Sequence, residues 1–263
     1  MRELRRQDVW IGGRSLRDLD ARIISVSVDE PDYEIEETYG QIPGHGGQRL
    51  LERKRIGKTI AVEFSIRELY DLAARDEVLD TVNAWAAGAG YISTTTRPGK
   101  RIFAPCKMYA AANKIREYTA AFRLEFRADE APWWEDASPS RLTLSGAEAE
   151  GALVMRGSWP GRIEASITPT GGTLTGLTLT VTGADGATRF ITLEDVSVPA
   201  NTTITMGYDA HGYFAINAGN TSILDKRTAL SSDELTASPG AATVSLTADV
   251  AVSAEISGRG RWL

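Results

Sequence analysis

One cysteine and two histidines in 263 residues remove whole classes of chemistry at once. Cys106 has no second cysteine to pair with, which excludes an intrachain disulfide framework and a cysteine-based zinc site. It reads as a small, partly buried apolar residue. His45 and His211 both stand beside glycine in turn-like sequence, so neither a histidine metal site nor a histidine general base is expected. The formal net charge is −6. A protein that grips nucleic acid through its phosphates needs a surplus of Lys and Arg, which the overall balance does not supply. No run approaches the roughly 18 apolar residues of a membrane span. The basic start Met1-Arg2-Glu3-Leu4-Arg5-Arg6 has no apolar stretch behind it, so a secretory signal is not expected and a cytoplasm is the expected site of synthesis. The N-x-Ser/Thr matches at Asn201 and Asn220 then carry no glycosylation reading.

Catalytic signatures are missing as well. There is no Gly-x-Ser-x-Gly elbow. Arg97-Pro98-Gly99-Lys100-Arg101 lacks the glycine spacing and the hydroxyl residue of a phosphate loop, and reads as a basic hairpin tip. The carboxylates between Asp29 and Glu37 offer no apolar walls to split their pKa values as a glycosidase pair requires. No enzyme activity, cofactor or metal is expected.

What is present divides in two. Residues 1–136 hold 21 Lys+Arg and 23 Asp+Glu, whereas 137–263 hold 8 and 12. Threonine runs the other way, with 7 before that point and 18 after it. Low charge and abundant threonine suit strands. We expect an N-terminal domain over 1–131, a linker over 132–140 that carries Pro132 and Pro139, and a C-terminal domain over 141–263.

The second half alternates in short runs. Leu174, Leu177, Leu179 and Val181 are followed by Ile191 and Leu193, then Thr203 to Met206 and Tyr213 to Ile216. Thr243 to Thr247 and Val250 to Val252 close the series. Turn sequences such as Gly183-Ala184-Asp185-Gly186 and Ser238-Pro239-Gly240 separate them, which predicts an antiparallel β-sandwich. The first half is mainly β with one packed helix. Strands are expected over 22–28, 59–66, 101–110 and 116–128, with Ile60, Val62, Phe64 and Ile66 on one face. The helix is placed at about Asp76 to Ala87, with an earlier start near Glu68 left open. Val78, Val82 and Trp85 form its apolar stripe, Asp76 and Glu77 sit at its positive end, and Gly88 stops it.

Between the first two strands the residues about 32–58 run acidic, then Pro/Gly-rich, then basic. This order predicts a long β-hairpin arm with its tip near Gly44 to Gly47, in which Glu36 faces Lys54 and Asp32 faces Lys58. One reading is a solvated ribbon that holds itself together through cross-strand charge pairs of about 0.2–1 kcal/mol each. The other is an arm that docks on a neighbouring copy, because a two-stranded hairpin is marginal alone. The docking residues would be Tyr33, Ile35, Tyr39, Ile42, Pro43, Gly44, Leu50, Arg53, Lys54 and Arg55. Repeated head to tail, such a contact closes into a ring when the rotation fits. Pro132, Trp133 and Trp134 are expected to wedge the domain junction. Trp133, Trp134, Trp159, Tyr208, Tyr213, Phe214 and Trp262 are the aromatics available to a sugar-stacking platform, set against core packing as the plainer reading.

The order of these features resembles the siphophage distal tail protein family. The carrying segments are Gln41-Ile42-Pro43-Gly44-His45-Gly46-Gly47, then Lys58 to Ile66, then Asn83-Ala84-Trp85 at the helix end. Arg123 to Trp134 follows, with its acidic-proline-aromatic close, and then Leu235 to Gly240 and the terminus Arg259-Gly260-Arg261-Trp262. His45-Gly46 departs from the family's basic-acidic pair. The resemblance implies an N-terminal β-sandwich-like domain with one helix and a belt-like hairpin, followed by a galectin-like or carbohydrate-module-like β-sandwich. It further implies a homo-hexameric ring at the virion tail tip, joining the tail tube protein to the tail-tip hub. DNA would transit its channel unbound, no membrane would be inserted, and a host-surface glycan would meet the C-terminal domain. A free-standing carbohydrate-binding module and a tail tube subunit are the alternatives.

Overall fold

The computed structural model describes residues 7–30, 34–41, 47–67, 71–110, 121–129, 132–209 and 213–262, without the side chains of 54–56. The chain is mainly β and divides into two compact units, Met1–Trp134 and Glu135–Leu263.

In the first unit, β1 (Val9–Ile11) and β2 (Arg14–Ser15) form a hairpin with only Gly12 and Gly13 between them. Both glycines have positive φ, 59° and 82°, the backbone that a two-residue primed turn requires. β3 (Ile23–Asp29), β4 (Glu34–Gln41) and the 19-residue β5 (Gln48–Ile66) follow. β5 has two roles. Its first half pairs with β4, and its second half lies between β3 and β9 (Ala121–Ala128).

The alternation expected of 59–66 is present, and Ile60, Val62, Phe64 and Ile66 are all buried. They meet Val26 and Val28 on one side and Phe122, Leu124 and Phe126 on the other, with the Phe64 and Phe122 rings 5.4 Å apart. The opposite face carries Thr59, Glu63, Ser65, Arg123 and Glu125 and faces solvent.

The helix α1 spans Leu72–Ala87 and starts four residues before Asp76. Asp71 is its N-cap, its carboxylate accepting the amides of Ala73 and Ala74 at 2.9 and 3.3 Å. Exposed Leu72 and Ala73 hide that first turn from any apolar periodicity. Asp76 and Glu77 therefore sit in the second turn and pair with Arg75 and Arg22. The buried stripe is Val78, Leu79, Val82 and Ala86. Trp85 is only half-buried, its indole N–H donating to the Arg14 carbonyl at 3.3 Å.

β6 (Tyr91–Thr94) and β7 (Lys100–Phe103) form the next hairpin, with Gly99 at φ 75° in the basic tip. The single strand expected over 101–110 is broken. Pro105 offers no amide to a ladder, and β8 (Cys106–Met108) leaves β7 to pair with β9 in the other sheet. Residues 111–120, which hold Tyr118 and Ala120 of the expected 116–128 strand, lie outside the described residues.

β10 (Trp134–Asp136) covers the boundary. The second unit begins with two long strands, β11 (Ser140–Met155) and β12 (Trp159–Pro169). Then come β13 (Leu177–Thr182), β14 (Thr188–Leu193), β15 (Ile204–Tyr208), β16 (Phe214–Ala218), β17 (Thr221–Ser222), a 3-10 turn at Leu224–Lys226, β18 (Thr236–Ala237) and β19 (Gly240–Trp262). The two closing runs of the sequence are thus one 23-residue strand.

β11 pairs end to end with Gly240 to Gly258 of β19, and the two strands are shared by two layers. One layer orders as β14-β13-β19-β11 and the other as β11-β19-β12-β15-β16-β17. A register shift between Gly146 and Glu148 bends β11 from one layer to the other. A single apolar cluster fills the space between, including Ile163, Ile167, Leu179, Val181, Ile204, Val244 and Ile256. The threonines face outward and bond across strands, Thr178 to Thr192 at 3.1 Å and Thr168 to Thr203 at 2.9 Å.

Candidate interaction site

β4 and the first half of β5 form a two-stranded ribbon. Glu36 stands opposite Lys54, Glu37 opposite Arg53 and Tyr39 opposite Leu50. The register slips between Glu34 and Ile35 and again between Thr38 and Tyr39, and the second slip leaves Leu51 without a cross-strand partner. Residues opposite one another share a face, and so do alternate residues of one strand. One face therefore carries Ile35, Glu37, Tyr39, Leu50 and Arg53. The other carries Glu36, Thr38, Gly40, Arg49 and Glu52, with the Leu51 side chain reaching over Gly40. A Cβ on Gly40 would lie 2.7 Å from Leu51 Cδ1, so a side chain there would displace the flexible end of that leucine.

The first face is held by a small polar cluster: Arg53 meets the Glu37 carboxylate at 3.2 Å, and the Tyr39 hydroxyl donates to the same carboxylate. Glu37 raises the Tyr39 pKa above its ordinary value, chiefly through that hydrogen bond. At the ribbon base Arg127 bonds Glu34 at 3.1 Å and Asp129 at 2.6 Å. Solvent screening makes each such exposed pair a small contribution to stability.

The apolar residues are the unusual part. Ile35 is 44% exposed, Tyr39 50%, Leu50 44% and Leu51 65%. Leu51 was not among the expected docking residues, because strict alternation assigns it to the face opposite Leu50 and only the register slip makes it prominent. Tyr33, Ile42, Pro43 and Gly44 lie outside the described residues, as does Asp32. Lys54 and Arg55 are placed by backbone register only. Lys58 is not on the ribbon: it is buried and stands opposite Ala128 of β9.

Nor is the acidic run uniformly solvated. Glu30 is largely buried, its carboxylate accepting the Thr94 hydroxyl at 2.9 Å and the Thr96 hydroxyl, with Arg97 at 3.5 Å. Pro132 and Trp134 are buried and Trp133 is half-buried, with the Arg97 guanidinium 5.7 Å from the centre of the Trp134 ring. Cys106 is half-buried, and burial pushes its thiol pKa up. Among the described residues no group of three or more His, Cys, Asp and Glu is placed to hold a metal, and no helix is long and apolar enough to cross a membrane.

In the second unit the aromatics do not form one platform. Tyr208 is half-buried, donates to the Leu235 carbonyl at 2.9 Å, and carries the Arg162 guanidinium 4.2 Å over its ring. Phe214 meets it edge to face at 5.4 Å. The Trp262 indole N–H bonds Asp136 at 3.1 Å. Trp159 and Tyr213 are exposed. The outward face of β12, β15, β16 and β19 holds a concavity of about 410 Å³ lined by Glu164, Ser166, Thr205, Gly207, Asp209 and Asn217, among others.

The fold of this chain is similar to those of solved phage hub and baseplate proteins. The crystal structure of the SPP1 Dit protein, described as a paradigm of hub adsorption apparatus in phages that infect Gram-positive hosts, matches with a TM-score of 0.68. The match covers 98% of this chain and 99% of that one at 13% identity. The phage P2 baseplate in its activated conformation with calcium contains a chain that matches with a TM-score of 0.54 at 6% identity, over 97% of this chain and 98% of that one. The strontium form of the same baseplate gives 0.52 and 7%, over 96% and 97%. At these identities the shared property is the fold. No protein-family model and no curated protein matches the sequence.

Proposed function

We propose that this chain is a non-enzymatic structural subunit of a phage tail tip that closes into a hexameric ring, each ribbon gripping the next copy. The ring joins the tail tube to the tail-tip hub and leaves a channel through which DNA passes without being held. The observation that carries this reading is the ribbon itself: four large apolar side chains stand about half exposed on an element with no core of its own. Covering them on a sister subunit contributes roughly 1 kcal/mol per side chain. Added to main-chain pairing, this explains why a marginal ribbon persists. The likeness to hub proteins over almost the whole chain, both units in the same order, supports the same role and a virion tail location. In this reading the junction residues Pro132, Trp133 and Trp134 set the path between the units, and the second unit serves recognition of a host-surface glycan.

Mass photometry of the purified chain tests ring closure. The expected species has about six times the 28.4 kDa chain mass, and a strict monomer at micromolar concentration overturns the reading. Replacing residues 37–53 by a two-residue turn should abolish the large species while the melting transition of both units survives. Negative-stain images separate this role from that of a tail tube subunit, which would stack into filaments.

A further inference from the structure

A head-to-tail ring needs two unlike patches on every copy, one that gives and one that receives. The ribbon is the giving patch, and its apolar side chains are exposed on the isolated chain. The first unit also carries a hollow of about 610 Å³ lined by Trp10, Gly12, Gly13, Gly88, Tyr91 and Arg101, among others. Its walls come from β1, the β1–β2 turn, the C-cap of α1 and the hairpin of β6 and β7. None of its lining residues belongs to the ribbon.

Strand register explains the hollow. Trp10 stands opposite Ser93, and the pairing of Ile92 with Ile102 brings Ser93 opposite Arg101. Paired residues share a face, and Tyr91 joins them as the alternate neighbour of Ser93. Val9, Ile11, Ile92 and Ile102 take the other face and are buried. The outward row is thus Trp10, Ser93 and Arg101, with Tyr91 beside it. A Cβ on Gly12 or Gly13 would meet nothing within 4 Å, so the space over the turn is open. The Arg101 guanidinium lies 3.9 Å over the Tyr91 ring, and that ring meets Phe103 edge to face at 5.4 Å. Both side chains are therefore oriented before anything binds, which spares part of the ordering cost of association.

We infer that this hollow receives the ribbon of the next copy, taking the face that carries Ile35, Tyr39 and Leu50. The inference rests on the assembly reading above and names the second surface which that reading requires. Tyr39 and Leu50 stand opposite one another and enter as a pair, covering the Trp10 and Tyr91 rings. Arg101 is the one charged residue among those that line the hollow, and Glu37 on the same ribbon face brings the matching charge. Arg53 meets one oxygen of that carboxylate and the Tyr39 hydroxyl the other. A carboxylate has about four lone-pair sites, so it can accept the Arg101 guanidinium as well. The concavity of the second unit fits such a face poorly, because Glu164, Asp209 and Glu255 line it and would lose water beneath apolar side chains.

Two half-defective chains test the contact. One receives only, with residues 37–53 replaced by a two-residue turn. The other gives only, carrying Ser93→Arg at the centre of the outward row, and a second giver carries Tyr91→Asp. All three should melt as the parent does. They are compared by sedimentation velocity at roughly 100 micromolar, where a contact of micromolar Kd is populated. Each alone should run as a monomer. A receiver mixed with either giver should form a species of two chains and nothing larger, because the pair leaves no free giving and receiving patch to extend it. Arg101→Glu in the receiver should weaken that pair by roughly ten-fold or more, since it sets two carboxylates together, and Arg101→Lys should weaken it less. Rings formed by either giver alone, or a mixture that stays monomeric while the parent closes into rings, overturn this inference and leave the assembly reading standing. A parent chain that stays monomeric overturns both.

Discussion

Phe64 lies at the centre of the first unit's sheet, fully buried between Val26 and Phe122. Phe64→Ala leaves a cavity there and should cost about 3–5 kcal/mol, read as a lowered urea midpoint in the unit that contains it. Asp71 acts at smaller scale. Its carboxylate accepts two free amides in the first turn of α1, those of Ala73 and Ala74, so Asp71→Ala should cost about 1 kcal/mol while Asp71→Asn should cost less. Asp249 illustrates pH dependence. Its carboxylate accepts the Thr175 hydroxyl and, at 2.9 Å, the Thr175 amide, and the side-chain hydrogen bond holds its pKa below the usual carboxylate range. A depressed folded-state pKa means the stabilisation is present above the unfolded value of about 3.9 and is lost as pH falls through the folded one. Asp249→Asn should therefore narrow the gap between urea midpoints measured at about pH 6 and below about pH 3. A gap equal to that of the parent would show that this carboxylate contributes nothing to acid sensitivity. Fully buried apolar residues such as Ile60 and Val62 were legible in the sequence, because alternation marks one face of a strand. Glu30 was not: nothing local signals that Thr94, Thr96 and Arg97 come from a distant hairpin to hold it.

At the scale of elements, the ribbon behaves as a plank with two unlike faces. The slip leaves Leu51 without a cross-strand partner, as a fourth apolar side chain on the face opposite Ile35, Tyr39 and Leu50, and Gly40 provides the space. Gly40→Val should displace Leu51, whose terminal methyls can move, and so leave the melting temperature nearly unchanged. It should shift mass photometry from the large species toward monomer, and an unchanged distribution would show that Leu51 plays no part in assembly. The acidic and basic limbs made the ribbon legible, and Glu36 stands opposite Lys54 as expected. Lys58 was misplaced because the sequence pattern does not mark where β5 stops pairing with β4 and starts pairing with β9. β11 was missed for a related reason. Its middle, Gly146-Ala147-Glu148-Ala149-Glu150-Gly151, has little apolar contrast, and its strand state comes from pairing with β19 along 15 residue positions. The helix start at Leu72 lies between the expected Asp76 and the earlier start near Glu68 left open, because the cap, and no apolar stripe, defines it.

At the scale of the whole molecule, the exposed ion pairs are numerous but individually weak. The apolar ribbon residues contribute more than those pairs to the proposed contact between copies. Raising salt from about 0.1 to about 0.5 M shortens the Debye length below 10 Å and should leave most of the large species intact. Dissociation over that range would show that charge pairing, and not apolar burial, closes the ring.

Composition, periodicity and turn residues were enough to establish a mainly β chain of two unlike halves with one helix and an acidic-to-basic ribbon. These properties depend on neighbours close in the chain, where side-chain period and turn geometry act directly. The fusion of two closing runs into β19, the sharing of β11 and β19 between layers, and the concavity over β12, β15, β16 and β19 depend on strands far apart in sequence. Their pairing is selected by the burial of a common core, a quantity that exists only once the chain has folded.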